Sequence, residues 1–400
     1  VVYLIVLMGL VALMDQYLST VKTTAIPYLI EEYGITAARF QWLEALYLIS
    51  SFFIFALNGL NDLIGRKWAA LVLILMMGLS ALGIVLWTPS IHTFMVFYAV
   101  VMFTTVSNMW SISISEESVA EKRAFNVSLV YLIGWIPLQA LLPPLLIDRW
   151  EQSWKWMYGV MFLFMIPVLV MWFFMKETDR YQAIRGERRA GTRKRHFFGL
   201  GVIDRRDVRY IMISASIWLC VLVFSVLYYL AGYFFMNVKD YSLSQWSLVQ
   251  LATLLMAMAG GAAGGWMMDR IGRTQALILG CVGISLLAIL IGFAEGILLP
   301  IVTAISGFFL SLAYTWVVVY VPEIFPTERR GTCMGWTTTV ARISYVVGPA
   351  LAAVLLETFP DMRGFWVVAG LIMLVPIAII LLWNPYETKT QVLEEIEGQR

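Results

Sequence analysis

Long apolar runs follow one another along almost the whole of this chain, and ionisable side chains hardly ever fall inside them. A helix needs about 20 apolar residues to cross a bilayer, and a backbone in lipid must satisfy its own hydrogen bonds, so such runs are expected to be transmembrane helices. Twelve can be counted, approximately 1–30, 37–61, 68–87, 93–115, 125–146, 154–174, 210–235, 242–268, 276–293, 297–321, 332–356 and 365–383. A transmembrane barrel would need alternating segments of about ten residues, and the runs are not of that kind. Composition agrees, with 60% apolar and 14% charged residues against roughly 45–50% and 25% in ordinary soluble domains. Twelve crossings consume the 400 residues, which leaves no room for a separate catalytic module. Val1 already lies in an apolar run, so a preceding segment is expected.

Orientation follows from where the basic residues fall, since the net charge of +2 gives no case for nucleic-acid binding. If the first run starts in the cytoplasm, 21 Lys and Arg lie in inside segments and five in outside segments. That asymmetry predicts cytoplasmic termini. The expected location is the plasma (inner) membrane. The one long polar stretch, 176–209, reads as a basic linker beside the anionic inner leaflet. The expected organisation is a six-helix bundle over 1–175, that linker, a second six-helix bundle over 210–383 and a cytoplasmic tail over 384–400. Cys220, Cys281 and Cys333 lie in or beside apolar runs and read as packing residues rather than a disulfide framework.

Two short segments recur at a fixed offset. Asp62, Gly65 and Arg66 follow the second span, and Asp269, Gly272 and Arg273 follow the eighth, each displaced by 207 residues. Glu117 and Arg123 follow the fourth span, and Glu323 and Arg329 follow the tenth, displaced by 206. Both pairs fall on the cytoplasmic side, so the halves are parallel repeats about an axis along the membrane normal.

The doubled D-x-x-G-R pattern and the run from Pro322 to Gly331 (Pro-Glu-Ile-Phe-Pro-Thr-Glu-Arg-Arg-Gly) resemble the major facilitator superfamily over the whole chain. The resemblance implies an all-α integral membrane protein, twelve transmembrane helices in two parallel-related six-helix bundles, and secondary transport by alternating access. It implies no enzyme activity and no cofactor. Elementary chemistry supports a gate at the repeated motifs. Gly65 and Gly272 permit tight turns, Asp62 and Asp269 can accept backbone amides at a helix N-terminus, and Arg66, Arg123, Arg273 and Arg329 can bridge to Glu117 and Glu323. These residues would form a cytoplasmic latch, the competing view being that they are topogenic charges and turn formers.

Ionisable groups inside a span are costly and usually face a cavity or one another. Asp15 and Lys22 on the first span, Glu44 on the second and Arg342 on the eleventh are the deep ones. Asp15 lies near mid-membrane, where desolvation opposes its charged form, so it is the leading proton carrier, with Glu44 beside it in that role. Lys22 is expected among the substrate-binding residues; a permanent ion pair or a substrate contact stays open for Asp15, and a Lys22 to Glu44 tether between helices for the other two. Arg342 offers a planar fork suited to a carboxylate, or a structural partner for Asp15 or Glu44. Its segment, ahead of Gly348-Pro349, is similar to helix eleven of organic-anion and aromatic-acid carriers of the superfamily, although Ser344 stands where those have glycine.

Asn108, Trp110, Trp135, Gln139, Tyr228, Tyr229, Gln250, Tyr314, Trp316, Trp336 and Tyr345 lie on spans expected to line the path. They could hold a flat or aromatic substrate, or simply pack helices. His92 and His196 lack metal-ligand spacing, and a P-loop is missing. The glutamine-rich signature of sugar porters in span seven and the glycine-rich antiporter motif of span five are missing too. The leading expectation is proton-coupled symport of a small organic anion, a carboxylate with or without an aromatic ring, by a monomer whose partners are substrate, protons and the bilayer. A carrier of a neutral sugar-like or polyol solute is the alternative, drug efflux is less favoured, and a receptor or channel on the same fold is the rival class.

Overall fold

The computed structural model describes residues 2–54, 57, 64–105, 110, 113–114, 117–118, 123–178, 181–182, 186, 203–325 and 330–388, with backbone alone at 123–125, 127–128, 131 and 330–331. Asp62, Asn108 and Arg329, and the side chain of Arg123, lie outside the described residues.

The described elements are helices: α1 Val2–Thr20, α2 Lys22–Tyr33, α3 Ala37–Tyr47, α4 Arg66–Leu86, α5 Ile91–Thr104, α6 Arg123–Gly134, α7 Leu138–Pro144 and α8 Trp156–Phe174. After the polar stretch come α9 Arg205–Tyr228, α10 Leu243–Ile271, α11 Arg273–Phe293, α12 Leu298–Ile324, α13 Arg330–Ala341, α14 Ser344–Thr358, α15 Arg363–Ile372 and α16 Val375–Trp383. Among the described residues, nine helical stretches are long and apolar enough to cross a membrane. The second expected span differs from a single helix: α3 passes into a 3-10 turn over Leu48–Phe53.

Helix ends follow from local chemistry. Ser90, Asp204 and Ser242 each form a capping box at the start of α5, α9 and α10. Lys22 begins α2 directly after a turn at Val21, and Arg342 occupies a turn with Ile343 between α13 and α14. Two further interruptions occur at Trp135–Pro137 and at Tyr229–Leu230. Val21 and Tyr229 are 208 residues apart, and Trp135 and Arg342 are 207 apart, so the first and fifth spans of each half break at matching places. Prolines help: Pro27 and Pro349 follow two of the breaks and remove a backbone donor.

Packing divides the chain into two compact units, Val1–Gly34 with Ser50–Phe198, and Ile35–Ile49 with Gly199–Arg400. In the first, α1 packs on α6 and α4 packs on α8 and α5. In the second, α12 packs on α10 and α11, α9 lies along both α13 and α14, and α3 lies on α14. The α10–α12 contact is made by backbones. A Cβ added at Gly260 would lie 2.1 Å from the Phe308 carbonyl oxygen, and one at Gly307 would lie 2.3 Å from that of Thr253. Lipid offers helices no hydrophobic drive to associate, so close approach over small residues supplies it through dispersion. All three cysteines are buried and unbridged.

Candidate functional site

The cytoplasmic motif of the second unit assembles around one arginine. Gly272 holds φ +106°, a left-handed conformation that favours glycine, and so turns the chain sharply from α10 into α11. The next residue, Arg273, is buried. Its Nε donates to Glu323 Oε2 at 3.1 Å and its second guanidinium nitrogen donates to Glu323 Oε1 at 3.0 Å, a two-point pair. The remaining nitrogen donates to Asp269 Oδ1 and to the Met268 carbonyl, each at 3.1 Å. Thr388 Oγ1 donates to Glu323 Oε2 at 2.6 Å, which ties the segment after α16 into the same cluster.

One expectation is corrected here. Among the described residues Asp269 accepts no backbone amide; the Arg273 and Thr274 amides donate to Glu387, at 3.0 Å each. The turn at Gly272 aims the first amides of α11 at the segment after α16, while Asp269, one helical turn earlier, meets the Arg273 side chain.

The first unit repeats this arrangement. Gly65 has φ +101°, and the Arg66 amide donates to Glu177 Oε1 at 2.9 Å, with the Lys67 amide at 3.3 Å from Oε2. The Arg66 guanidinium is buried 5.1 Å from the centroid of the Tyr181 ring. Sequence reasoning missed Glu177 and Glu387. The signal was present, because Glu177-Thr178 and Glu387-Thr388 recur 210 residues apart, after the sixth and twelfth spans. Glu117 is half-buried.

Deep in the first unit, Asp15 is fully buried and Trp110 Nε1 donates to its Oδ2 at 3.2 Å. A carboxylate and an aromatic residue expected in different roles are thus brought together. A cavity of about 10 Å³, near the lower limit for one water, lies between Met8, Val11, Arg66, Leu73, Trp110 and Ser113. Lys22 and Gln139 are buried, Trp135 is half-buried, and Gln139 Oε1 has no hydrogen-bond partner among the described residues.

In the second unit Glu44 and Arg342 are buried, and the Arg342 guanidinium sits 5.6 Å from the centroid of the Tyr345 ring. Trp316 is fully buried and stacked on Tyr320 at 4.5 Å. Gln250 is buried, Tyr229 and Tyr314 are half-buried and Trp336 is exposed. Tyr228 uses its hydroxyl within the helix packing, 2.7 Å from Ser306 Oγ and donating to the Thr303 carbonyl at 3.2 Å.

Membrane-spanning helices in two repeated sets, each with its own charged turn, define a helical membrane carrier. The comparisons make the class specific. The sequence model of the Major Facilitator Superfamily matches residues 5–303 and 241–400, and the chain belongs to that family. It is a multi-pass integral membrane transporter and not an enzyme. A Bacillus subtilis protein named for niacin/nicotinamide transport, NiaP, is 24% identical over 379 residues, covering 91% of this chain and 90% of NiaP. The gentisate transporter of Corynebacterium glutamicum is 24% identical over 310 residues, 75% of this chain and 68% of that protein. Among solved structures, the inward-open xylose transporter XylE from E. coli superposes with TM-score 0.76 at 17% identity, covering 98% of each chain. That likeness establishes the fold, twelve helices in two six-helix bundles.

Proposed function

We propose that this protein is a proton-coupled symporter of a small organic anion, an aromatic monocarboxylate fitting best. The observation that carries the reading is Arg342, a guanidinium buried at the interruption of span eleven beside the Tyr345 ring. Its guanidinium stays charged at any working pH and offers a planar fork that fits a carboxylate, and charged groups inside a membrane protein mark substrate paths. Helix interruptions at mid-membrane are also where carriers expose groups to substrate. The names of two relatives, for niacin/nicotinamide and gentisate transport, agree with an aromatic carboxylate.

Asp15 is the proposed coupling carboxylate, with Glu44 and Lys22 as further charged groups of the path. Arg273, Glu323, Asp269 and Glu387, with Arg66 and Glu177 in the other half, form the proposed cytoplasmic gate. The proposed organisation is a bundle over 1–175, a cytoplasmic linker over 176–209 and a bundle over 210–383, in a monomer of the plasma membrane with its termini in the cytoplasm.

The test is uptake into proteoliposomes under an inward proton gradient, together with ligand binding by Arg342 variants. A buried charge-assisted hydrogen bond is worth about 1.5–3 kcal/mol, so Arg342→Ala should weaken anion affinity by about tenfold or more. Arg342→Lys should lose less. Equal losses for charged and neutral analogues would place Arg342 in packing and revive the neutral-solute alternative.

A further inference from the structure

The small cavity of the first unit joins Asp15 to the cytoplasmic motif. Met8 and Val11 of α1 form one wall, Arg66 and Ala70 of α4 another, and Trp110 and Ser113 of span four a third. Trp110 also donates through Nε1 to Asp15 Oδ2 at 3.2 Å, so the same indole touches the carboxylate and borders the cavity. Val11 and Met8 precede Asp15 by one and two turns of α1, about 6 and 10 Å along the axis. The cavity therefore lies on the side of Asp15 that faces the start of α1. Arg66 closes its far end, as the first residue of α4 directly after the turn at Gly65, and its side chain is buried. Asp15, Trp110, the cavity and Arg66 thus stand in file.

The cavity has room for about one water, and three of the residues around it, Trp110, Ser113 and Arg66, carry polar groups of the kind that hold one. Arg66 is the one ionisable residue of this lining among the described residues. Its guanidinium stays charged at any working pH. A fixed arginine beside a narrow water path raises an electrostatic barrier to protons. One segment of chain holds Arg66 in place: its amide donates to Glu177 Oε1 at 2.9 Å, and its guanidinium lies 5.1 Å from the centroid of the Tyr181 ring.

We propose that Asp15 exchanges its proton with the cytoplasm through this cavity, inside the first bundle, and that Arg66 is the electrostatic barrier that shuts the path while Glu177 and Tyr181 hold it. The inference rests on the reading of Asp15 as the coupling carboxylate and of the motif as cytoplasmic. In the transfer the O–H bond of protonated Asp15 breaks, and its electron pair stays on the carboxylate, which the Trp110 N–H continues to meet. The proton bonds to the oxygen of the cavity water, and that water passes one of its own toward the motif. Release of Arg66 by the segment after span six withdraws the charge and opens the path. The proton then leaves without entering the substrate path, and the motif arginine has a second task besides gating.

The experiment measures proton flux without substrate, using the full chain in proteoliposomes that enclose a pH-sensitive dye, with the membrane potential clamped and melting temperatures recorded. Arg66→Gln removes the charge and should raise this flux by about tenfold or more over the wild type, whereas Arg66→Lys keeps the charge and should stay near it. Ala70 is buried and borders the cavity, so Ala70→Leu fills it. Added to Arg66→Gln, that change should return the flux to the wild-type level, and so should Asp15→Asn. A proton crossing by the substrate path would ignore Ala70. If Arg66→Gln does not fold, Ala70→Leu alone decides the matter, because it should lower acid-driven accumulation relative to counterflow exchange. A tight Arg66→Gln variant, a leak that survives Ala70→Leu or Asp15→Asn, or an unchanged ratio of accumulation to exchange in Ala70→Leu would overturn the proposal. Asp15→Asn alone reads the underlying assignment. If it still accumulates substrate, the coupling reading of Asp15 fails; if it does not and Arg66→Gln is tight, Asp15 stands and the path through the cavity falls.

Discussion

Replacement of Arg273 and Glu323 by glutamine, singly and together, isolates the central pair of the second cytoplasmic motif. The two contacts are 3.1 and 3.0 Å, the Arg273 side chain is 9% exposed and that of Glu323 is 25% exposed. A hydrogen bond to a charged group contributes about 1.5–3 kcal/mol when buried. Partial exposure of Glu323 screens the pair, and Thr388 still donates to one carboxylate oxygen when Arg273 is gone. A coupling of about 1.5–3 kcal/mol for the whole two-point pair is therefore expected rather than twice that figure. Asp269 contacts the same arginine at 3.1 Å, but its side chain is 75% exposed. A pair of that kind contributes about 0–0.5 kcal/mol. The assay is a double-mutant cycle on reversible denaturant unfolding in micelles, once for Arg273 with Glu323 and once for Arg273 with Asp269. Coupling to Glu323 below about 0.3 kcal/mol, the level of ordinary non-additivity, or coupling to Asp269 as large as that to Glu323, would refute the argument from burial.

The glycine turns should differ between the halves although their sequences match. A Cβ at Gly65 would lie 2.2 Å from Glu177 Oε2, while one at Gly272 would lie 3.3 Å from Glu387 Oε2. Both Gly→Ala changes force alanine into a backbone region essentially reserved for glycine, φ 101° with ψ 165° at Gly65 and φ 106° with ψ 158° at Gly272, at about 1–3 kcal/mol, and Gly65→Ala should lower the melting temperature further because it also displaces the carboxylate cap. Asp15→Asn should abolish acid-driven accumulation while sparing counterflow exchange, since exchange does not require the proton to leave. Unchanged accumulation in proteoliposomes would remove Asp15 from coupling.

The repeated Asp, Gly and Arg could be aligned by eye at 207 residues, yet their roles could not be assigned. Asp269 and Glu387 are both carboxylates near one arginine in the fold, and which of them meets the backbone depends on where the turn at Gly272 points the first amides of α11. Glu387 lies more than 110 residues from Arg273 in the chain, so local pattern reading had no reason to join them. The same holds for Trp110 and Asp15, whose side chains meet at 3.2 Å from spans four and one.

Helical spans, their number and the twofold repeat were determined by the sequence alone, because lipid denies the backbone any hydrogen-bond partner but itself and a run of apolar residues then has one outcome. The positions of the four helix interruptions were partly legible, through Pro27 and Pro349. What only the tertiary structure decided was which polar groups are satisfied inside the protein. Tyr228 spends its hydroxyl on Ser306 and Thr303, whereas the buried indole N–H of Trp218, a residue that did not stand out in the sequence, has no partner among the described residues. The reason is physical: apolar periodicity specifies that a helix forms, but the pairing of a buried donor depends on side chains delivered by other helices, tens or hundreds of residues away.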